Sequence, residues 1–204
     1  LYRTRLVRGS YRDQERPILV NNWEATYFDF NAEKILEIAK AGSELGIDLF
    51  VLDDGWFGKR DNDKSSLGDW FIDHQKLPEG LDNLASKVKD MGMEFGLWFE
   101  PEMVSVDSDL YREHPDWCLH VPERLRSESR NQLILDFSRE DVCNEITKRV
   151  SDILATVPIS YVKWDMNRHM TEIGSAALPA DRQRETAHRY MLGLYKVMET
   201  ITTS

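Results

Sequence analysis

Five apolar runs of this chain each end in an acidic side chain, and this recurrence constrains the fold more than any other sequence feature. An apolar run without polar alternation indicates a strand buried on both faces, as in a parallel sheet covered by helices. Because the carboxyl ends of parallel strands share one edge, we expect the acids to converge on a polar site, as at the C-terminal face of a barrel. The acids are Glu24, Asp54 (with Asp53), Glu100, Asp136 and Asp165.

The last run, at 161–165, carries two charged residues in an otherwise apolar strand. Lys163 and Asp165 are two positions apart, so both side chains of a strand would point to the same face. A buried charge is costly unless it is paired or used, and a cation beside Asp165 would favour the charged carboxylate. The residues alone leave two interpretations open, a structural ion pair under a loop or a nucleophilic carboxylate with a lysine beside it.

Helical periodicity separates the apolar runs. Asn31 is the predicted N-cap of a first helix that Gly46 stops, and Ser138 is the predicted cap of another helix. Strand starts that lie about 30 to 45 residues apart suit βαβ units. The predicted strands are 18–22, 48–53, 94–99, 133–136 and 161–165, and the other predicted helices are 81–91, 140–156 and 181–202.

The segment 55–77 is long for a connection between a strand and a helix, where a few residues are usual. It carries four aromatic residues among polar ones, namely Trp56, Phe57, Trp70 and Phe71. Long loops of this kind hold the substrate contacts of barrel enzymes. The alternative is a loop that packs its aromatic rings against one another in a small hydrophobic core of its own, here called the private core. The sequence does not favour either interpretation.

Composition excludes several classes of protein. The 204 residues carry a net charge of −10, which disfavours nucleic acid and anionic membranes as partners but not a neutral ligand such as a sugar. Two cysteines are too few for a disulfide framework, and no apolar run approaches the roughly 20 residues that span a bilayer. The start at Leu1 is typical of the middle of a longer protein, so we interpret 1–16 as a lead-in segment or linker and 17–204 as the domain.

Two further alternatives concern the fold and the chemistry. Five parallel strands complete a doubly wound sheet but not a barrel, although no glycine-rich phosphate fingerprint follows the first strand. The carboxylates also suit magnesium, which prefers oxygen ligands, so a metal-dependent barrel enzyme is a second hypothesis that sensitivity to EDTA would test. Against it, tryptophans accompany these acids, and aromatic faces suit the apolar faces of sugars; the tryptophans are Trp56, Trp98 and Trp164.

Five motifs in order resemble the retaining α-galactosidases of glycoside hydrolase family 36, over nearly the whole chain. They are NWEATYFDFN at 22–31, LDDGWFG at 52–58, LWFEPEMV at 97–104, RNQLILD at 130–136 and YVKWDMNR at 161–168. The resemblance implies an α/β fold, a (β/α)8 TIM barrel of which about five of the eight βα units are present here. It also implies an N-terminal β-sandwich and a C-terminal β-domain, neither of which lies in this sequence.

By this resemblance, Asp165 matches the catalytic nucleophile, and the other matched residues bind substrate. Asp53 and Asp54 match the pair that binds the galactose hydroxyls farthest from the scissile bond, and Gly55 permits the turn that lets both serve one sugar. The remaining matches are Trp56 and Trp98 as aromatic contacts, Arg130 and Lys163 as hydroxyl-binding residues, and Asn167 in the same site. The family's general acid/base, an aspartate on the following strand, has no match before Ser204.

The resemblance therefore predicts hydrolysis of terminal α-linked galactose, as in melibiose and raffinose, by double displacement with Asp165 as nucleophile and with neither cofactor nor metal. Alternatives are a galactosyl-transferring or α-N-acetylgalactosaminidase relative, and an inactive fragment that lacks the acid/base. The expected partner is a galactose-containing oligosaccharide, with no nucleic acid and no membrane. We expect the full-length parent to be a homo-oligomer in the cytoplasm.

Overall fold

The computed structural model describes residues 2–7 and 9–203, so residues 1 and 8 of the predicted lead-in and residue 204 lie outside the described part. A four-stranded parallel sheet forms its centre, and the strands lie side by side in chain order. Two further short strands pair with each other. The strands are β1 (Leu19–Asn21), β2 (Leu49–Leu52), β3 (Glu94–Phe99), β4 (Met103–Val104), β5 (Leu133–Ile134) and β6 (Tyr161–Trp164).

Six α-helices accompany the strands. They are α1 (Trp23–Thr26), α2 (Ala32–Glu44), α3 (Leu81–Asp90), α4 (Asp109–Glu113), α5 (Glu140–Thr156) and α6 (Thr186–Thr203). Shorter 3-10 turns cover Ser10–Arg12, Pro115–Trp117 and Ala180–Glu185, and a π-helical turn covers Tyr2–Leu6. The predicted last helix, 181–202, therefore begins as a 3-10 turn and becomes an α-helix only at Thr186.

Two predicted helix caps have different outcomes. The Asn31 cap is confirmed, because its side-chain oxygen accepts a hydrogen bond of 2.9 Å from the Lys34 amide at the start of α2. The prediction that Ser138 caps α5 is wrong, since Arg139 occupies the N-cap position and forms no capping hydrogen bond with its side chain. The Ser138 hydroxyl instead donates to Asp136, the acid just before it. The Ser138 hydroxyl thus forms a local hydrogen bond with a neighbouring side chain and does not cap α5.

The prediction that 133–136, the fourth predicted strand, joins the parallel sheet is wrong. Strand β5 has only two residues and pairs antiparallel with β4, outside the parallel sheet, while β6 lies directly beside β3. A parallel pairing needs a crossover of a dozen or more residues, usually a helix. The longest helix between β3 and β5 is the five-residue α4, whereas the 17-residue α5 precedes β6. The crossover from β3 therefore leads to β6.

The order of the parallel strands never reverses within the described residues. A doubly wound sheet has a switch point at which the strand order reverses, and ligands bind there. On the side of the helices, α2 packs against α3 and both contact the sheet, while α5 packs against α6. All four residues of β2 are buried, whereas β1 and β6 at the two edges are more accessible.

The buried core joins the sheet, its helices and the long loop after β2. Its largest fully buried side chains come from all three, including Phe50 and Phe95 on strands, Ile35 on α2 and Trp56 in the loop. No helix in the described ranges 2–7 and 9–203 has the length and apolar character needed to cross a bilayer.

Candidate active site

Three acids directly follow three parallel strands. Asp53 comes after β2, Glu100 after β3 and Asp165 after β6. The chain stays paired just past β6, because the Asp165 amide donates to the Phe99 carbonyl at 2.8 Å. Since neighbouring parallel strands end at the same edge, the three carboxylates lie at one end of the sheet. This part of the predicted convergence is confirmed.

The other two acids of the predicted set share no hydrogen-bond partner with these three carboxylates among the described residues. After β1 ends at Asn21, the chain turns into α1, where Glu24 is exposed and accepts a hydrogen bond from the Tyr27 hydroxyl. Asp136 is buried after an antiparallel strand and accepts from the Ser175 hydroxyl. An apolar run that ends in an acid is therefore not sufficient to place the acid at the site, because the run must also join the parallel sheet.

Neutral hydrogen-bond donors surround the Asp165 carboxylate. Its Oδ2 accepts from the indole Nε1 of Trp98 and from the side-chain amide of Asn167, each at 3.0 Å. Its Oδ1 accepts from the Met166 backbone amide at 2.9 Å. The side chain is half-buried, so it is oriented by three donors while it remains reachable from solvent. This arrangement suits an ionised carboxylate that must contact a ligand.

Lys163 is paired with Asp53, which corrects the expectation that its charge would serve Asp165. The Lys163 Nζ lies 2.7 Å from the Asp53 Oδ2, although the two residues are 110 positions apart. The lysine therefore reaches past β3, which lies between β6 and β2. With 38% of its side chain exposed, Lys163 keeps access to a ligand while it holds the Asp53 charge.

Two asparagines at the end of β1 complete the surroundings of Asp53. The Asn21 side-chain amide donates to the Asp53 Oδ2, and the Asp53 backbone amide donates to Asn22 at 2.8 Å. The Asp53 Oδ1 also accepts from the Asp54 backbone amide at 2.8 Å. Sequence reasoning missed both asparagines. The signal was available, because this strand ends in amide side chains where its neighbours end in acids.

Asp54 and Arg60 form a buried ion pair that sequence reasoning also missed. The guanidinium binds both oxygens of the carboxylate, with Nε–Oδ1 and Nη2–Oδ2 distances of 3.0 Å. Burial raises the pKa of the Asp54 carboxyl, and the Arg60 charge opposes this rise. Arg60 also donates to the Ser65 carbonyl at 2.8 Å. Asp54 therefore anchors the long loop, and because the chain turns at Gly55 (φ 106°), its side chain has different neighbours from that of Asp53.

Glu100 is fully buried behind Asp165. Its oxygens accept from the backbone and side-chain amides of Asn167 and from the Gln132 side chain at 3.1 Å. Burial raises the pKa of the Glu100 carboxyl, the Asn167 hydrogen bonds lower it, and the negative charge of Asp165 raises it further. The Asn167 side-chain amide thus bridges Glu100 and Asp165, at 3.2 and 3.0 Å.

The aromatic residues of the loop pack mainly against each other. Trp56, Phe57 and Trp70 are buried, whereas Phe71 is half-exposed. The Trp56 indole donates to the Trp98 carbonyl at 2.9 Å, and the Phe57 ring stacks on Trp98 with centroids 6.2 Å apart. The burial favours the private core for three of the four rings. Trp56 and Trp98 are 0% and 1% exposed, so neither ring offers an accessible face for the predicted aromatic contact with a sugar.

Arg130 lies at the tip of a two-residue turn. Ser129 and Gln132 exchange backbone hydrogen bonds of 3.3 and 3.0 Å, and the two residues between them have positive φ, 54° at Arg130 and 57° at Asn131. This is the type I′ hairpin geometry. The Arg130 side chain is exposed, and it lines an open cavity of about 780 Å³ that Asn167 also lines.

No cluster of three or more His, Cys, Asp or Glu side chains arranged for a metal ion occurs among residues 2–7 and 9–203. The carboxylates of the site instead accept hydrogen bonds from protein side chains. The donors are a lysine for Asp53, an arginine for Asp54, and amide or indole groups for Glu100 and Asp165. The metal-dependent hypothesis therefore gains no support from the arrangement of these groups.

Comparison with known sequences identifies one family. The sequence model described as Melibiase matches residues 1–204. The α-galactosidase AgaA of Geobacillus stearothermophilus is 70% identical over 203 residues, which cover 100% of this chain and 28% of that protein. α-Galactosidase 1 of Pediococcus pentosaceus is 54% identical over 204 residues, again covering 100% of this chain and 28% of the relative. The chain thus spans about 28% of the length of these relatives.

Solved structures agree with the sequence comparison. The crystal structure of AgaA superimposes with a TM-score of 0.96 at 70% identity, covering 100% of this chain and 28% of the other. A crystal structure of an AgaA variant in complex with raffinose gives the same TM-score and covers 99% of this chain. The more distant α-galactosidase TtGalA of Thermus thermophilus, in complex with p-nitrophenyl α-D-galactopyranoside, has a TM-score of 0.71 at 26% identity, covering 93% of this chain and 37% of that one.

Proposed function

This chain belongs to the Melibiase family, and from that membership we propose that the protein containing it is a retaining α-galactosidase. Its substrates are oligosaccharides with a terminal α-linked galactose. Raffinose and stachyose, which are bound in crystal structures of AgaA variants, represent this class. The observation that carries the proposal is the Asp165 carboxylate at the end of β6, oriented by Trp98 and Asn167 and still open to solvent.

Asp165 is the proposed nucleophile. One of its oxygens attacks the anomeric carbon of galactose and forms a covalent galactosyl ester, while the bond to the leaving oxygen breaks and that oxygen takes a proton from the general acid. Water then attacks the same carbon, gives up a proton to the conjugate base of that acid, and releases galactose with retained configuration. The Trp98 and Asn167 donors hold the Asp165 carboxylate in one orientation, which favours attack in a defined geometry.

None of the other carboxylates at the site suits the second role, that of general acid/base. The Asp53 oxygens accept from Lys163, Asn21 and the Asp54 amide, and both Asp54 oxygens bind the buried Arg60 guanidinium, so these carboxyls are engaged as acceptors within the chain. Glu100 has no accessible surface and cannot reach a leaving group. We therefore do not assign the acid/base to any of these residues, in line with the family resemblance.

Sugar hydroxyls both donate and accept hydrogen bonds, and the remaining predicted residues offer both functions. Asp53 and Asp54 supply acceptors, and the accessible Lys163 and Arg130 supply charged donors. Asn167 lies next to the nucleophile, where a hydroxyl close to the anomeric carbon would lie. We propose that these five residues bind galactose. The Trp98 ring is buried, so we propose that Trp98 acts through its indole N–H, which orients Asp165, and that Trp56 supports Trp98 from behind.

We propose that residues 17–204 are part of a (β/α)8 barrel and that 1–16 lead into it. Two observations support the barrel. The four parallel strands follow one another without reversal, as barrel strands do, and β1 and β6 carry more accessible edges than the inner strands. The described part corresponds to four of the eight units, not to five.

The test uses the intact enzyme and a 2-fluoro α-galactosyl fluoride, whose good leaving group allows the covalent step to be trapped. The intact mass is measured for wild type, Asp165→Ala and Glu24→Ala, the last being an exposed acid outside the site. We expect one galactosyl adduct on wild type, mapped to Asp165, no adduct on Asp165→Ala and an unchanged adduct on Glu24→Ala. An adduct that persists in Asp165→Ala would remove the nucleophile assignment.

A further inference from the structure

Arg168 is a buried guanidinium that joins two segments beside the site. It follows the YVKWDMN stretch directly and is only 5% exposed. Its Nη1 donates to the carbonyls of Ser127 and Gln132, each at 2.8 Å. Its Nε donates to the His169 carbonyl at 3.1 Å, and its Nη2 donates to the Thr171 hydroxyl at 3.0 Å. The residue thus connects the loop after β6 to segment 127–132.

All of these hydrogen-bond acceptors are uncharged. Among the residues that the structure describes, no carboxylate oxygen lies within ion-pair distance of the Arg168 guanidinium. The charges of Glu172 and Glu128 act on Arg168 from beyond ion-pair distance, and Glu172 accepts from Ser127 and Thr171 rather than from the guanidinium. A buried cation without a direct ion pair is costly, so its retention indicates a geometric role. Arginine suits such a role, because its planar fork of five donors fixes several acceptors at once.

The two carbonyls that share the Arg168 Nη1 lie on either side of the turn that carries Arg130. That turn needs positive φ at both central residues, and for the non-glycine Arg130 this conformation is disfavoured. Hydrogen bonds on both flanks are a direct way to hold it. Gln132 is held a second time, because its side-chain amide donates to Glu100 at 3.1 Å.

The Arg130 guanidinium itself has no hydrogen bond or ion pair with any residue in the described ranges, and it lines the same cavity as Asn167. A buried arginine and the disfavoured positive φ of Arg130 thus hold in place an exposed guanidinium that has no partner among the described residues. Backbone strain of this kind is typical of a residue presented to a ligand.

We propose that Arg168 is a positioning residue that holds the Arg130 turn so that the Arg130 guanidinium contacts the substrate. Arg168 touches no substrate itself. This inference rests on the proposed α-galactosidase function and deepens it, because it explains how one binding residue is held in place.

A double-mutant cycle in the intact enzyme tests the proposal. The variants are Arg168→Lys, Arg130→Ala and the double variant, and the readouts are the Kd of 1-deoxygalactonojirimycin, which is bound in a solved AgaA variant, and the KM and kcat for melibiose. Arg130→Ala is expected to weaken inhibitor binding on the order of 10- to 100-fold, the range for a hydrogen bond to a charged group. Arg168→Lys should weaken it by roughly 5-fold in the wild-type background and by less than about 2-fold in the Arg130→Ala background.

Thermal unfolding separates positioning from mere structural support. Arg168→Lys should lower Tm by the same amount with Arg130 present and with Arg130→Ala, because the loss of stability does not depend on the Arg130 side chain. A binding defect of Arg168→Lys that persists in full without Arg130 overturns the proposal, and so does an Arg130→Ala variant that binds like wild type. As a control, Arg139→Lys alters an arginine that donates to the Asp116 carbonyl at 3.0 Å and pairs with Asp116 and Asp141, none of which belongs to the site, and should leave Kd unchanged.

A milder variant covers the case in which Arg168→Lys does not fold. Thr171→Val removes the hydroxyl that accepts from Arg168 and donates to Glu172 at 2.8 Å, and it should give the same non-additive pattern with an effect of about 2-fold. Additive effects for this variant count against the proposal. If wild type hydrolyses melibiose and binds the inhibitor but the cycles are additive, only the role of Arg168 fails. If wild type does neither, the proposed function fails, and the role of Arg168 fails with it.

Discussion

At the scale of single residues, the aspartates of the site share one functional group but differ in their partners. Asp53 and Asp54 each face a cation, whereas Asp165 accepts hydrogen bonds only from neutral donors. A carboxylate bound to a cation shares its charge and is a weaker nucleophile, while one held by neutral donors keeps its charge available. The partners therefore match the proposed roles, with Asp165 as nucleophile and the other two as binding or anchoring groups.

The buried Glu100 carboxyl gives a prediction about pH. Burial raises the pKa of Glu100 above its usual value, so between the two values the folded state holds a proton that the unfolded state has released. The free energy of unfolding of wild type should therefore fall as pH rises through this interval, by at most about 1.4 kcal/mol per pH unit. Glu100→Gln has no carboxyl to titrate at this position and lacks this pH dependence. The difference in Tm, wild type minus variant, should therefore decrease from pH 4 to pH 7.5.

Thermal unfolding of both proteins across this pH range is the measurement. Glu37→Gln, which alters an exposed acid on α2, serves as the control and should keep a constant difference in Tm from wild type. A difference between wild type and Glu100→Gln that grows with pH would show that the folded state favours the ionised form of Glu100.

At the scale of elements, one glycine decides how closely α6 approaches α5. A Cβ atom built on Gly193 would lie 1.9 Å from the Phe137 carbonyl oxygen and 2.9 Å from the Cys143 Sγ. Both distances are far below van der Waals contact, and the first involves rigid backbone. The helix can lie this close to the segment before α5 only because the residue has no side chain.

Gly193→Ala is therefore expected to destabilise the protein by about 1 to 3 kcal/mol or more, since α6 must shift away from Phe137. Gly42→Ala is the matched control in α2, because its added Cβ would meet Val20 at an ordinary 3.4 Å. That change should be neutral or stabilising by up to about 1 kcal/mol, the helix propensity difference. Equal Tm values for the two variants would contradict this account of the α5–α6 contact.

At the scale of the whole molecule, the described part combines a well-packed interior with accessible sheet edges. The residues of β2 are buried, whereas Leu19 of β1 and Tyr161 of β6 are more than 35% exposed. Accessible parallel edges are unusual in an isolated domain, since parallel sheets are normally covered and unpaired edges invite association. The accessible edges agree with the proposal that this sheet is part of a barrel.

This architecture predicts that the 204-residue chain, produced alone, hydrolyses melibiose poorly. None of the other carboxylates at the site suits the acid/base role, and general acid/base catalysis contributes roughly 100- to 10,000-fold to rate. We expect kcat/KM at least about 100-fold below that of the intact enzyme, together with self-association through β1 and β6. Steady-state kinetics and light scattering on the purified chain test this, and an ordinary enzyme rate from a monomeric chain would show the prediction to be wrong.

The sequence by itself determined the local features of this protein. Strand β3 lies at the predicted 94–99 and helix α5 at the predicted 140–156, because periodicity and turn residues act over a few positions. The placement of Asp53, Glu100 and Asp165 after strands also followed from the apolar runs. The motifs were sufficient to identify the family, because their residues and their order along the chain do not depend on which strands pair.

Tertiary structure alone decided which partners those residues have. The Lys163–Asp53 pair spans 110 positions and the Trp98–Asp165 hydrogen bond spans 67, so neither follows from local spacing. The antiparallel pairing of β5 with β4 likewise depends on the crossover helix that precedes β6 and not on the composition of β5. The physical reason is the same in each case: propensity and periodicity act between neighbours in the chain, whereas ion pairs and strand pairings depend on which segments packing brings together.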